Sequence, residues 1–146
     1  MNQSIQDFIN CKNIAVVGVS RNTNKFGNLA YKELKDRGYQ VYPVNPAMKE
    51  FQGTPCYPDL SQLQGKVDGV LVTVHPDQGL AVLEQASQLG IKNVWVQQQA
   101  ESPALLDSGQ KLGLNLVSGK CILMYATPVH GFHGFHRAIN KIFGKL

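Results

Sequence analysis

Residues 13–28, NIAVVGVSRNTNKFGN, decide how the rest of the chain is read. Ile14-Ala15-Val16-Val17 is apolar without alternation, the pattern of a strand covered on both faces. Gly18 follows at once, as in the first turn of a nucleotide-binding βαβ unit, where glycine lets the backbone turn tightly into a helix. The G-x-G-x-x-G spacing then asks for glycine at 20 and 23, and the chain has Ser20 and Thr23 instead. A polar loop with Asn22 and Lys25 intervenes before Phe26 and Gly27. Strand, glycine turn and helix N-terminus together make an anion site, because free N–H groups and the positive end of the helix dipole converge there. Ser20 adds a hydroxyl, and Lys25 adds a point charge suited to phosphate. The plainer role for Ser20, Asn22 and Asn24 is to close a long turn on its own backbone and cap the helix.

Working outward, strand and helix signals alternate. Asn28 to Arg37 carries Leu29, Ala30, Tyr31 and Leu34 at helical spacing and stops at Gly38. Gln40 to Val44 is a short strand ended by Asn45-Pro46, and Met48 to Leu63 is irregular, with a short turn of helix. DGVLVTV, residues 68–74, is a third strand, punctuated by His75-Pro76-Asp77. A helix over Gln78 to Leu89 stops at Gly90, and a fourth strand runs from Ile91 to Gln97. Ser102-Pro103 caps a helix through Lys111, and a fifth strand, Leu114 to Ser118, leads into Gly119-Lys120-Cys121. This order specifies an α/β domain in three layers, a doubly wound parallel sheet of about five strands. Ligands in such folds sit beyond the carboxyl ends of the strands. That places Gly18 to Asn28, Asn45-Pro46, His75-Pro76, Gln97 to Gln99 and the Cys121 loop on one rim.

The length, 146 residues, suits one domain, and 43% hydrophobic content is ordinary for a globular chain. The start, MNQSIQDFIN, lacks the basic and apolar regions of a signal peptide, and no apolar run is long enough for a bilayer. A cytoplasmic protein with no membrane partner is expected. Cys11, Cys56 and Cys121 stand far apart, which argues against a disulfide framework or a zinc knuckle. Net charge is +4 and the pI is near 9.0. The basic residues are scattered singly, which points to a small phosphorylated ligand rather than nucleic acid. The tail, 127–146, places Phe132, Phe135, Ile139, Ile142 and Leu146 at three- and four-residue intervals. That is an amphipathic helix, which packs on the sheet domain or joins two subunits as a homodimer.

The end of the second strand disfavours NAD. An acidic residue there ordinarily accepts from the adenosine ribose, and here the residues are Tyr42-Pro43-Val44-Asn45-Pro46. Asn45 both donates and accepts, and an uncharged strand end leaves room for a ribose carrying its own phosphate. An NADP- or other nucleotide-dependent redox enzyme on the same rim is the alternative. No catalytic set emerges. His130, His133 and His136 are three apart, but no carboxylate or thiol accompanies them, so a solvated helix start or a ligand-facing rim is expected rather than a metal site. His75 has only Asp77 nearby to orient it as a base. Cys121 is either a rim thiol beside Lys120 or a buried apolar filler, the role expected of Cys11 and Cys56. Asp59 and Asp68 are expected to cap or solvate a loop.

Three elements together, Ala15-Val16-Val17-Gly18-Val19-Ser20, Lys25-Phe26-Gly27 and Tyr42-Pro43-Val44-Asn45-Pro46, resemble the coenzyme A-binding domain family. These are stand-alone bacterial proteins related to the nucleotide-binding domain of succinyl-CoA synthetase alpha subunits. Gly53 with Pro55-Cys56-Tyr57, Trp95-Val96-Gln97 and the Cys121 loop fall in the same order, so the resemblance covers roughly residues 8–125 of a single domain spanning 1–146. It implies a Rossmann-like fold that holds coenzyme A (CoA) or an acyl-CoA as a binding or regulatory module. By matching positions, Gly18, Val19, Ser20 and Lys25 would line the phosphates, and Asn45 and Pro46 would meet the adenosine. Val74, His75 and Pro76 would flank the remainder, with Asn22, Phe26, Gly27 and Cys121 completing the site. The synthetases also carry a phosphorylated histidine on a second domain and an ATP-grasp partner. Neither fits in this chain, so ligase activity is not implied.

Overall fold

A computed structural model describes residues 3–128. The apolar runs form five parallel strands: Asn13–Val17 (β1), Gln40–Val44 (β2), Gly69–Val72, Asn93–Gln97 and Asn115–Lys120. Between β2 and the third of these, the expected irregular segment contains a two-residue hairpin, Glu50–Phe51 (β3) with Thr54–Pro55 (β4), and a single 3-10 turn at Ser61–Leu63. The last three sheet strands are therefore β5, β6 and β7. The order across the sheet is β2-β1-β5-β6-β7. The order reverses between β1 and β5, and that switch point is where doubly wound sheets open a crevice.

Alternation along each strand sends side chains to opposite faces. Ile14, Val16, Leu71, Trp95 and Val117 build one core, and Ala15, Val17, Val70, Val72, Val94 and Val96 build the other. The first core is covered by Gln3–Ile9 (α1) and Phe26–Asp36 (α2), the second by Pro76–Gln88 (α3) and Pro103–Lys111 (α4). α1 lies in the N-terminal segment, where the sequence pattern predicts no helix. Its Ile5, Phe8 and Ile9 are buried at i, i+3, i+4 spacing, and Phe8 meets Trp95 edge to face at 5.4 Å. α2 starts two residues earlier than expected, so Phe26 and Gly27 are its first turn rather than loop. Ser102 caps α4 as expected, its Oγ accepting from the N–H of Leu105 at 3.1 Å.

Arg37 is fully buried at the end of α2. It donates from Nη1 to the carbonyls of Leu123 and Ala126, both at 3.0 Å, and from Nη2 to Glu33 at 3.4 Å. Burial pulls the guanidinium pKa down, and Glu33 opposes that pull. This clamp, with Tyr39 donating to the carbonyl of Thr127 at 2.7 Å, fastens the segment after β7 to α2 and β2. The amphipathic-helix expectation for the tail and the three tail histidines lie outside the described residues. Among the described residues no helix is long and apolar enough to cross a membrane.

Candidate functional site

Three residues far apart in sequence make the floor of the rim. Gly18 has φ +124°, and a side chain there would overlap Thr73 Oγ1. Thr73 in turn donates its hydroxyl to the carbonyl of Val17 at 2.8 Å. A Cβ on Gly27 would lie 2.7 Å from the Gly18 carbonyl carbon and 2.9 Å from Thr73 Oγ1, closer than real contacts allow. Gly27 therefore does the work of the last glycine in the dinucleotide fingerprint, close packing of helix on strand, at a longer spacing. The loop between the two glycines is held by Asn28, which is 8% exposed. Its Oδ1 accepts from the N–H of Ser20 at 2.8 Å, and its Nδ2 donates to the carbonyl of Ser20 at 2.8 Å.

Within that loop, Ser20 Oγ accepts from the N–H of Asn22 and Asn22 Oδ1 accepts from the N–H of Asn24. These are turn-closing bonds, and the Ser20 hydroxyl keeps its proton available for a ligand. Lys25 occupies the N-cap position of α2 with no side-chain cap bond, so the first N–H groups of the helix stay open. Asn45 bridges the first two strand ends: Nδ2 donates to the Val19 carbonyl at 2.6 Å, and Oδ1 accepts from the N–H of Ala47 at 2.7 Å. Its amide carbonyl is thus occupied by a turn, and one amide hydrogen remains for a ligand.

Two clefts meet at this floor, sharing Gly18, Asn45, Val74 and Gln78. The wider, about 690 Å³, runs between the end of β2 and α3 and includes Pro46, Asp59, Leu60 and Glu84. The narrower, about 540 Å³, takes in Ser20, Lys25, Phe26, His75, Gln97 to Gln99 and Cys121. The sequence pattern of the CoA binding domain matches residues 12–127. The chain belongs to that family. The alpha subunit of an ADP-forming acetate–CoA ligase from Pyrococcus furiosus is 28% identical over 93% of the chain, which spans 30% of that subunit's length. An uncharacterized Bacillus subtilis protein, YneT, is 28% identical over 76% of the chain and 82% of its own length. A solved conserved hypothetical protein from Pyrococcus furiosus is 38% identical, covers 76% of this chain and 96% of its own, and superposes with a TM-score of 0.72.

In this CoA binding domain the residues singled out from sequence divide into three groups. Gly18, Ser20, Lys25, Phe26, Asn45, Val74, His75 and Cys121 line the narrower cleft together, and Pro46 lines the wider one. Val19 borders the narrower cleft although its side chain is buried in the first core. Asn22, Gly27 and Pro76 line neither cleft. Asn22 shapes the loop, Gly27 packs beneath it, and Pro76 is the first residue of α3. Lys120 holds its ammonium over the Tyr125 ring, 5.8 Å from the centroid.

Sequence reasoning placed Asn28 and Gln97 on the rim by chain order without giving their side chains a role, and it missed Thr73 as part of the floor. It also missed two carboxylates: the end of β2 is uncharged, yet Asp59 and Glu84 reach the cleft from other segments. Asp59 Oδ1 accepts from both the N–H and the hydroxyl of Ser61, at 2.8 and 2.6 Å, and these bonds hold its pKa below the usual value. Burial pushes the Cys11 thiol up to about 12, helped by Asp68, and raises that of Cys56 as well. Among the described residues no group of three or more His, Cys, Asp or Glu could hold a metal ion.

Proposed function

We propose that this domain binds CoA or an acyl-CoA along its C-terminal rim, as a binding or regulatory module. The observation that carries the reading is the meeting of two clefts over Gly18, where the open end of α2, the Ser20 hydroxyl and Lys25 converge. A ligand with diphosphate in its middle and a different group at each end suits that shape. The diphosphate lies on the Gly18–Lys25 loop, where backbone donors and one cation offset its charge. The adenosine lies in the wider cleft beside Asn45 and Pro46. The pantetheine arm runs through the narrower cleft past Val74 and His75 towards Gln97 and Cys121.

Asp59 and Glu84 line the wider cleft, so the ribose hydroxyls face a carboxylate side and the 3′-phosphate of CoA points away from it. The experiment therefore compares CoA, dephospho-CoA, NAD and NADP by calorimetric titration. CoA and dephospho-CoA bind more tightly than either dinucleotide, because only they place a pantetheine arm in the narrower cleft. Dephospho-CoA matching CoA would mark the carboxylate side as the ribose contact. NAD or NADP binding as tightly as CoA would refute the proposal in favour of a dinucleotide site.

A further inference from the structure

The three cysteines are free, and they differ in setting. Cys11 and Cys56 are buried, while Cys121 is half-buried and forms part of the narrower cleft. Gln97 lines the same cleft and is only 5% exposed. Its Oε1 accepts from the N–H of Ile122 at 3.0 Å, which fixes the orientation of the amide. Its Nε2 has no partner among the described residues and opens onto the cleft, where its donors are free for a ligand. Ile122 directly follows Cys121, so the bond that aims Gln97 also steadies the backbone carrying the thiol.

We propose that Cys121 forms a reversible mixed disulfide with the thiol end of CoA, in a subsite whose second polar group is the Gln97 amide. The inference rests on the reading that the rim holds CoA. The oxidant is CoA disulfide. Cys121, as the thiolate, attacks one sulfur of that disulfide. A bond from Sγ to that sulfur forms, the S–S bond breaks, and the second CoA leaves with the electron pair as a thiolate. That thiolate takes up a proton equivalent to the one Cys121 released, so one disulfide is exchanged for another with no net oxidation. Attack by a free thiol runs the step backwards. Gln97 acts as a positioning residue: Nε2 donates to the pantetheine amide carbonyl nearest the sulfur and holds the arm at the thiol. The buried, poorly ionised Cys11 and Cys56 lie outside the narrower cleft.

The test incubates native protein with CoA disulfide, in parallel with oxidised glutathione, and follows intact mass and peptide maps. One CoA mass adds at Cys121, dithiothreitol removes it, and the rate exceeds that with glutathione disulfide by about tenfold or more, since bound reactants react faster than free ones. Cys121→Ser gives no adduct. Gln97→Glu keeps an acceptor for the Ile122 N–H but removes the donor, and it lowers the ratio of the two rates. An unchanged ratio removes Gln97 from the subsite. Adducts at Cys11 or Cys56, or equal rates with both disulfides, overturn the inference. A protein that binds CoA by calorimetry but yields no adduct overturns the inference alone, whereas one that binds no CoA overturns the reading beneath it too.

Discussion

The two rims of the sheet treat their polar groups in opposite ways. At the N-terminal ends of the strands, the Asp68 carboxylate accepts from the N–H groups of Lys12 and Asn13, at 3.4 and 3.0 Å. Asn93 donates to the Asp68 carbonyl, Asn115 donates to Asn93 at 2.7 Å, and the Cys11 thiol points at the Asp68 carbonyl. Tyr39 closes the same edge against Ile9 and Thr127. At the C-terminal ends, the Lys25 side chain, the start of α2 and the Nε2 of Gln97 have no such partners among the described residues and border the clefts. Polar groups that meet each other hold a fold together. Polar groups left unmet beside a cleft wait for something else.

The largest expected break in this contrast comes from alkali, which acts on the closed rim. Folding favours the neutral forms of the Cys11 thiol and the Tyr39 phenol, whose pKa values rise from 9.0 and 10.0 to about 12 through burial. Below pH 9 both groups are protonated whether the chain is folded or not, and stability is unaffected. Above that the unfolded chain loses protons first, so stability falls by about 1.4 kcal/mol per pH unit for each group until the folded pKa is passed. Urea denaturation between pH 8 and 12 checks this, and Cys11→Ala makes the fall above pH 9 shallower, with Cys56, whose thiol burial also raises, keeping part of it. A flat profile would mean the closed rim is wetter than described.

Gly18→Ala comes next. It imposes a left-handed conformation on alanine and drives a methyl group into Thr73, at a cost of about 3 kcal/mol from strain and overpacking. Being part of the floor, it also abolishes CoA binding. Denaturant midpoints and calorimetry together measure both losses, and retained binding would dissociate the floor from the ligand. The smallest effects come as a pair. Asp68→Ala, at the closed rim, lowers stability by about 1–2 kcal/mol and leaves CoA affinity alone, whereas Lys25→Ala weakens CoA by a similar amount with no change in melting temperature. If either variant changed both quantities, the separation of the rims would be false.

Most of the fold was readable because its signals are local. A glycine after an apolar run, a serine before a proline and a glycine after a helix each act within a few residues, and these placed all five sheet strands. α1 escaped because seven residues with three buried apolar positions are too few to stand out. The rim was readable in part. Lys25, Ser20 and Asn45 sit at strand and helix ends, where chain order alone locates them. Chain order put Gln97 on the rim, but its role was not legible, since that depends on the register shift between β6 and β7 that brings Lys120 opposite it and Ile122 against its carbonyl. Thr73 and Asn28 act on residues of other elements, and Asp59 and Glu84 converge only when the segment after β4 wraps the end of α3. No periodicity encodes such meetings.

Gly18, Gly27 and Thr73 interlock so closely that they form one unit of inheritance. A methyl group added at Gly18 strikes the threonine, and one added at Gly27 strikes both the threonine and Gly18. Evolutionary drift can therefore alter the three positions only together, while Gln98 and, among residues that accept its φ of 76°, Gln99 are exposed beside the narrower cleft and free to vary singly. An engineer wishing to change what this rim accepts has the same map: leave the interlock untouched, and diversify the glutamines.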